Sequence, residues 1–228
     1  MRPTSYPCID HPLRAQGAGC SQPSHQLGPR RALASNPGVS LRIYSPPCVD
    51  ARAQSMRLLV FLHGTTLMHA SAAGRSREER IAQVREGTDT SLRNYGEYVP
   101  VGRAVEKLWG WEELGAHIEY LTSHRNPDDV AQDVAVLRRH GFPPGRVLAR
   151  GPRQSYGDVV AREMPDLLIE DDCASIGTDE IAYSQVEPDL RSQVRSVIVP
   201  EFGGIDHLPD SLLELTSKAW RRTSPKSE

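Results

Sequence analysis

Apolar and polar positions divide the chain at about residue 56. Beyond it, short continuous apolar runs alternate with stretches of helical period; before it, neither period is sustained. Arg57-Leu58-Leu59-Val60-Phe61-Leu62 is such a run, and its length and continuity predict a strand covered on both faces. A helix is expected over 101–114, with Val101, Val105, Leu108, Trp109 and Leu114 as its stripe and Gly115 as its stop. Residues 117–122 predict a second strand. Asn126 as N-cap, Pro127, Asp128 and Asp129 then open a helix that buries Val130, Val134 and Leu137 and ends at Gly141. Residues 146–150 predict a third strand, and Ser155 with Asp158 caps a short helix to Glu163. A fourth strand over 166–171, a fifth over 196–200 and a closing helix over 208–220 complete the pattern.

Repeated strand–helix–strand units of this length require right-handed crossovers and a mainly parallel sheet. The expectation is an α/β fold, a three-layer sandwich around a Rossmann-like sheet, spanning 56–222 with a flexible tail at 223–228. Residues 66–99 interrupt it. They hold one charged helix, about 75–86, and a stretch rich in Gly, Asp and Asn, which read as a flap or small cap after the first strand. An insert at that point lies over the ligand crevice of such a sheet.

The formal charge is −2 over 228 residues, and 38% of them are hydrophobic. That balance gives no reason to expect nucleic acid as a partner. Residues 1–55 carry six Arg, no Lys, two Asp and no Glu, with eight of the 18 prolines and three of the four cysteines (Cys8, Cys20, Cys48). Such a composition buries too little apolar surface to offset its ordering entropy, so a disordered or irregular leader is expected, with Met56 as a candidate true start. Arg30-Arg31 is followed by too short an apolar run for a signal peptide, and no stretch approaches the ~20 apolar residues of a membrane span. The leader cysteines lack paired metal spacing. A cytoplasmic protein without membrane contact is the expectation, and its oligomeric state is not legible.

Ligands of open parallel sheets bind at the carboxyl ends of the strands. Four strand ends here carry polar groups: His63 with Thr65 and Thr66, Thr122 with Ser123, Arg150 with Arg153, and Glu170-Asp171-Asp172. With a hydroxyl, a base and a carboxylate cluster on successive strand ends, residues 56–175 resemble the haloacid dehalogenase superfamily. That family closes its first strand with an Asp-x-Asp-Gly-Thr-like sequence and its second with Thr or Ser. A Lys or Arg precedes a later helix, and acidic residues that hold magnesium end the fourth strand. The resemblance implies a phosphate grip from Thr122, Ser123, Arg150 and Arg153, with Mg²⁺ held by Glu170, Asp171 and Asp172. His63, Thr65 and Asp171 become the catalytic candidates, and a small phosphorylated molecule the expected ligand.

The first motif departs from the family's. If His63-Gly64-Thr65 aligns on Asp-Gly-Thr, His63 replaces the acid/base aspartate and the nucleophile position falls on Phe61, which has no attacking atom. If His63 stands at the nucleophile position itself, the second aspartate becomes Thr65. Lysine is absent from the third motif, where Arg150 or Arg153 would keep the charge without its point-like geometry. The implied function is a phosphate- and Mg²⁺-binding crevice in a catalytically impaired or regulatory protein, or an atypical His-dependent phosphohydrolase.

Leu59 through Gly64 also resembles the strand and His-Gly segment before the oxyanion loop of α/β-hydrolase esterases. That fold needs a Gly-x-Ser-x-Gly elbow. Gly151-Pro152-Arg153-Gln154-Ser155-Tyr156-Gly157 has the wrong spacing, and His207 after Asp206 would lack a nucleophile. Plainer roles stand beside each of these. His63 could bond local backbone, Thr122 and Ser123 could serve helix capping, and Arg150 or Arg153 could pair with the acids. His69, His117 and His124 read as surface or capping residues, Trp109 and Trp111 as core and cap contacts. Asp206 reads as part of a strand–helix turn.

Overall fold

The computed structural model describes residues 55–217. The leader through residue 54, the tail at 223–228 and the last residues of the expected closing helix lie outside the described residues.

The elements in chain order are β1 (Arg57–Phe61), β2 (Leu67–His69), α1 (Arg77–Glu86), β3 (Tyr98–Pro100), α2 (Ala104–Glu113), β4 (His117–Leu121), α3 (Pro127–Arg139), β5 (Val147–Leu148), α4 (Tyr156–Glu163), β6 (Leu167–Asp171), α5 (Pro188–Arg191), β7 (Arg195–Val199) and α6 (Leu212–Leu215). The main sheet has the order β5-β4-β1-β6-β7, and every pairing in it is parallel. From β1 the chain winds outward through β4 and β5, then returns to the other side of β1 for β6 and β7. Strand order therefore reverses around β1, which puts the ligand crevice at its carboxyl end.

Alternation along β1 builds the three layers. Leu58 and Val60 face Ala104, Leu108 and Trp111 of α2 and Val136 and Leu137 of α3. Leu59 and Phe61 face Tyr156, Val159 and Val160 of α4. Burial on both faces is what the continuous apolar run requires. Two helix faces are rotated from the expected stripes: α2 buries Trp111 and leaves Trp109 and Leu114 exposed, and α3 buries Asp133, Val136 and Leu137. Trp109 instead donates its indole N–H to Gly141 O at 2.7 Å.

Capping residues act as the local sequence predicts. Asn126 accepts from Asp128 N at the start of α3, and Ser155 forms a full capping box with Asp158 on α4. The third strand is reduced to two residues, and the described part of the closing helix to one turn. The insert carries the expected charged helix, opened by a Ser76–Glu79 capping box, and an antiparallel β2–β3 ladder that the apolar pattern did not predict. Both strands have only three residues, too few to show a period. No described helix is long and apolar enough to cross a membrane.

Candidate functional site

A cleft of about 350 Å³ opens at the carboxyl end of β1. Phe61, His63, Gly64, Ser123, Asp171 and Glu201 come from the sheet ends, and the insert adds a wall that includes Arg80, Tyr95 and Tyr98. Phe61, Tyr95, Tyr98, Tyr156 and Phe202 make much of the lining aromatic.

On one side lies a network centred on Asp133. Parallel register pairs Phe61 with Leu121, so His63 and Ser123, each two residues on, emerge at the same height. His63 Nδ1 is 2.8 Å from Ser123 Oγ, and its Nε2 is 3.0 Å from Asp133 Oδ1. Asp133 Oδ2 accepts from Thr122 Oγ1 at 2.6 Å and stands 2.9 Å from His124 Nδ1. Burial by itself would raise the Asp133 pKa. Hydrogen bonds from His124 and His63, the His63 charge and the Thr122 hydroxyl outweigh it and hold the carboxyl well below its usual range. His63, His124 and Asp133 also bring ligating atoms within 4.8 Å of one another. Both Asp133 oxygens are engaged within the network, Oδ1 by His63 and Oδ2 by Thr122 and His124.

On the other side, Asp171, Asp172 and Glu201 bring carboxylate oxygens within 4.8 Å of one another. Thr65 donates to Asp171 Oδ2 at 2.8 Å, and Cys173 N–H to its Oδ1 at 2.9 Å. Burial pushes the Asp171 carboxyl up to about 6 despite these two donors, with Glu201 and Asp172 adding to the rise. Ser175 donates both its N–H and its hydroxyl to Glu201. Arg77 of α1 grips both Asp172 oxygens at 3.0 and 3.1 Å.

The expected site residues separate on this frame. His63, Ser123 and Asp171 line the cleft. Thr65 and Thr122 are fully buried and spend their hydroxyls on Asp171 and Asp133. Glu170 points to the other face of β6 from Asp171, because neighbours on a strand alternate. It accepts from Ala182 N at 2.6 Å and Tyr183 N at 3.0 Å, and so anchors a loop rather than joining the acids. Its place is taken by Glu201, the acid just past β7. Arg150 is not among the cleft-lining residues; its guanidinium lies 3.6 Å from the Tyr156 ring centroid and 4.0 Å from Glu180. Arg153 is not among the cleft-lining residues and has a left-handed backbone, φ 62°.

Three participants were not read from the sequence. Asp133 could have been found as a lone acid on the buried stripe of α3, and Glu201 as an acid at a strand end. His124, expected at the surface or in a cap, instead bonds Asp133 and is only 11% exposed. For the esterase alternative, Gly64 N–H is taken by Leu67 O at 2.9 Å, and Ser155 serves as the α4 cap. Asp206 accepts from Arg103 N at 2.8 Å at the start of α2.

No protein-family model matches the sequence, and no curated protein matches it. Among solved structures, the chain is similar to the class C acid phosphatase from Bacillus anthracis at 17% identity and a TM-score of 0.43, over 78% of this chain and 82% of that one. The same enzyme with tungstate bound gives 17% identity and a TM-score of 0.42, over 76% and 81%. A phosphoserine phosphatase in apo form gives 10% identity and a TM-score of 0.34, over 63% of this chain and 93% of that one. The chain's own strand order, all parallel and with acids closing β6, establishes an α/β fold around a five-stranded sheet.

Proposed function

We propose that the cleft binds a small phosphorylated molecule through a hard divalent cation held by Asp171, Asp172 and Glu201. The observation that carries this reading is the meeting of three carboxylates at the strand-order reversal, two of them almost fully buried. Their mutual repulsion and burial favour a bound cation, and an all-oxygen donor set suits Mg²⁺ over softer metals. Gly64 supports the fit: a Cβ there would lie 2.8 Å from Asp171 Oδ2 and 3.1 Å from Glu201 Cγ, so only glycine lets the β1 loop approach the acids. When bound, such a cation neutralises phosphoryl oxygens and orients them.

This chain's own residues do the rest. Arg80 adds a positive wall, held by Ala72 O and Phe202 O, and the aromatic lining receives the organic part of the ligand. β1 itself offers no aspartyl nucleophile, because it ends in Phe61, whose ring packs edge-on to Tyr156 at 5.1 Å. His63 stands in the cleft as an acid/base group.

Magnesium titrated into the protein, followed by thermal melting and calorimetry, tests the cation site. Mg²⁺ should raise Tm by mass action, inorganic phosphate should raise it further only when Mg²⁺ is present, and Asp171→Asn should remove both effects. A melting curve indifferent to millimolar Mg²⁺ would overturn the reading.

A further inference from the structure

The cleft holds a base and an anion-binding wall, and Phe61 leaves it without an attacking atom on β1. The serine and threonine hydroxyls in and around it, and its thiol, can be taken in turn. Thr65 and Thr122 are buried and committed to carboxylates, Ser155 caps α4, and Ser175 donates to Glu201. Cys173 is buried, and its thiol is turned toward Asp171 O at 3.8 Å. Ser123 differs from all of them: its hydroxyl lines the cleft and faces an imidazole nitrogen at 2.8 Å.

Donor and acceptor bookkeeping sets the direction of that bond. Asp133 is ionised and its side chain is 1% exposed, so each group bonded to it must donate. His63 therefore carries a proton on Nε2, toward Asp133, and in the form that can act as a base, the neutral ring, the lone pair sits on Nδ1. Ser123 must then donate to Nδ1. This is the polarity that activates a hydroxyl nucleophile, with the ring reversed from the Nε2-to-serine arrangement of the familiar hydrolase triad. The same bookkeeping removes His63 as a nucleophile, since both of its nitrogens are engaged.

We propose that Ser123 is the nucleophile of this cleft, with His63 Nδ1 as its base and Asp133 as the positioning residue, and that its substrate is a phosphate monoester of an aromatic or apolar alcohol. The choice of a phosphate ester rests on the cation reading above, and the relay itself does not. Ser123 Oγ forms a bond to phosphorus as the bond from phosphorus to the alcohol oxygen breaks. The serine proton passes to His63 Nδ1 and on to the departing alkoxide. Water then attacks the phosphoserine, gives a proton to His63 that returns to Ser123 Oγ, and releases inorganic phosphate. The sum is an ester and water converted to an alcohol and phosphate.

The test treats the full 228-residue chain with a fluorophosphonate probe, maps the adduct by mass spectrometry, and follows aryl phosphate hydrolysis with and without Mg²⁺. The expected result is one adduct, on Ser123, and turnover lowered at least about 100-fold in Ser123→Ala with Tm unchanged. Asp133→Asn should slow labelling and shift the acid limb of the pH–rate profile, which a purely structural role would not move. Ser123→Ala removes one hydroxyl at the cleft wall and keeps the test decisive if Asp133→Asn does not fold. No adduct on a folded wild-type protein, an adduct elsewhere, or undiminished turnover in Ser123→Ala overturns the relay. A Mg²⁺-dependent Tm shift without the adduct overturns the relay while leaving the cation reading intact. The adduct without any Mg²⁺ effect, or with hydrolysis of an aryl acetate alone, supports the relay and overturns the phosphate ester as substrate.

Discussion

Thr65 and Asp171 join the carboxyl ends of β1 and β6 through a single buried hydrogen bond, 2.8 Å from hydroxyl to carboxylate. The bond orients the acid nearest the crevice and lowers its pKa against the effect of burial. Thr65→Val keeps the shape and removes the donor. It should cost about 1–3 kcal/mol in urea unfolding, as a buried acceptor losing its partner does, and should raise the Asp171 pKa further. Calorimetry should then find weaker Mg²⁺ binding, because protons compete better for the carboxylate. Unchanged stability and affinity would remove Thr65 from the site.

Gly64→Ala tests the close approach of the β1 loop to the acids. The residue has φ +85°, where a side chain costs roughly 1–2 kcal/mol, and its new Cβ would collide with Asp171 and Glu201. Loss of the Mg²⁺-dependent Tm shift should exceed what the lower stability explains. A variant that melts earlier but keeps the full shift would show that the acids do not need this approach.

Stability should fall as pH rises through the window set by Glu170 and Asp171. Burial raises Glu170 from 4.5 to about 7 and Asp171 from 3.8 to about 6. Between about pH 4 and 7 the native state holds protons that the unfolded chain has released, so these groups stabilise fully at the acid end and lose that contribution on the way up. Each shift corresponds to on the order of 3 kcal/mol across the window. Asp133 works in the opposite sense: its stabilisation is present above the ordinary carboxylate pKa of 3.8 and is lost as pH falls below it. In metal-free buffer, denaturation at pH 5, 6, 7 and 8 should show declining stability, and Glu170→Gln should flatten the upper part of the curve. A flat wild-type profile would contradict the shifts.

The far end of the sheet gives an asymmetric prediction. Glu119 is 4% exposed and lies 3.2 Å from Arg57 and 2.5 Å from Arg146, whose side chains are 38% and 59% exposed. Removing both arginines strands a buried carboxylate and should cost roughly 3–5 kcal/mol. Glu119→Gln leaves two arginines that water can solvate, and should cost about 1 kcal/mol or less. Equal losses in the two unfolding experiments would mean that the pairing does not control this corner.

The sequence alone determined the elements whose cause is local. Continuous apolar runs made β1, β4 and β6 strands because both of their faces are covered, and Asn126 and Ser155 opened α3 and α4 because side-chain oxygens there satisfy free N–H groups. The parallel sheet followed from the lengths of the crossovers, and the placing of His63, Ser123 and Asp171 at the crevice followed from strand ends. Tertiary structure decided what depends on which way a side chain turns. One step along β6 separates Asp171 in the cleft from Glu170 under a loop, a difference set by pleat and register rather than by composition. The rotation of α3 buried Asp133, and only the β1–β4 register then brought His63 and Ser123 level with it. Glu201 met Asp171 because β7 lies beside β6, a neighbour 30 residues away that no local pattern could supply.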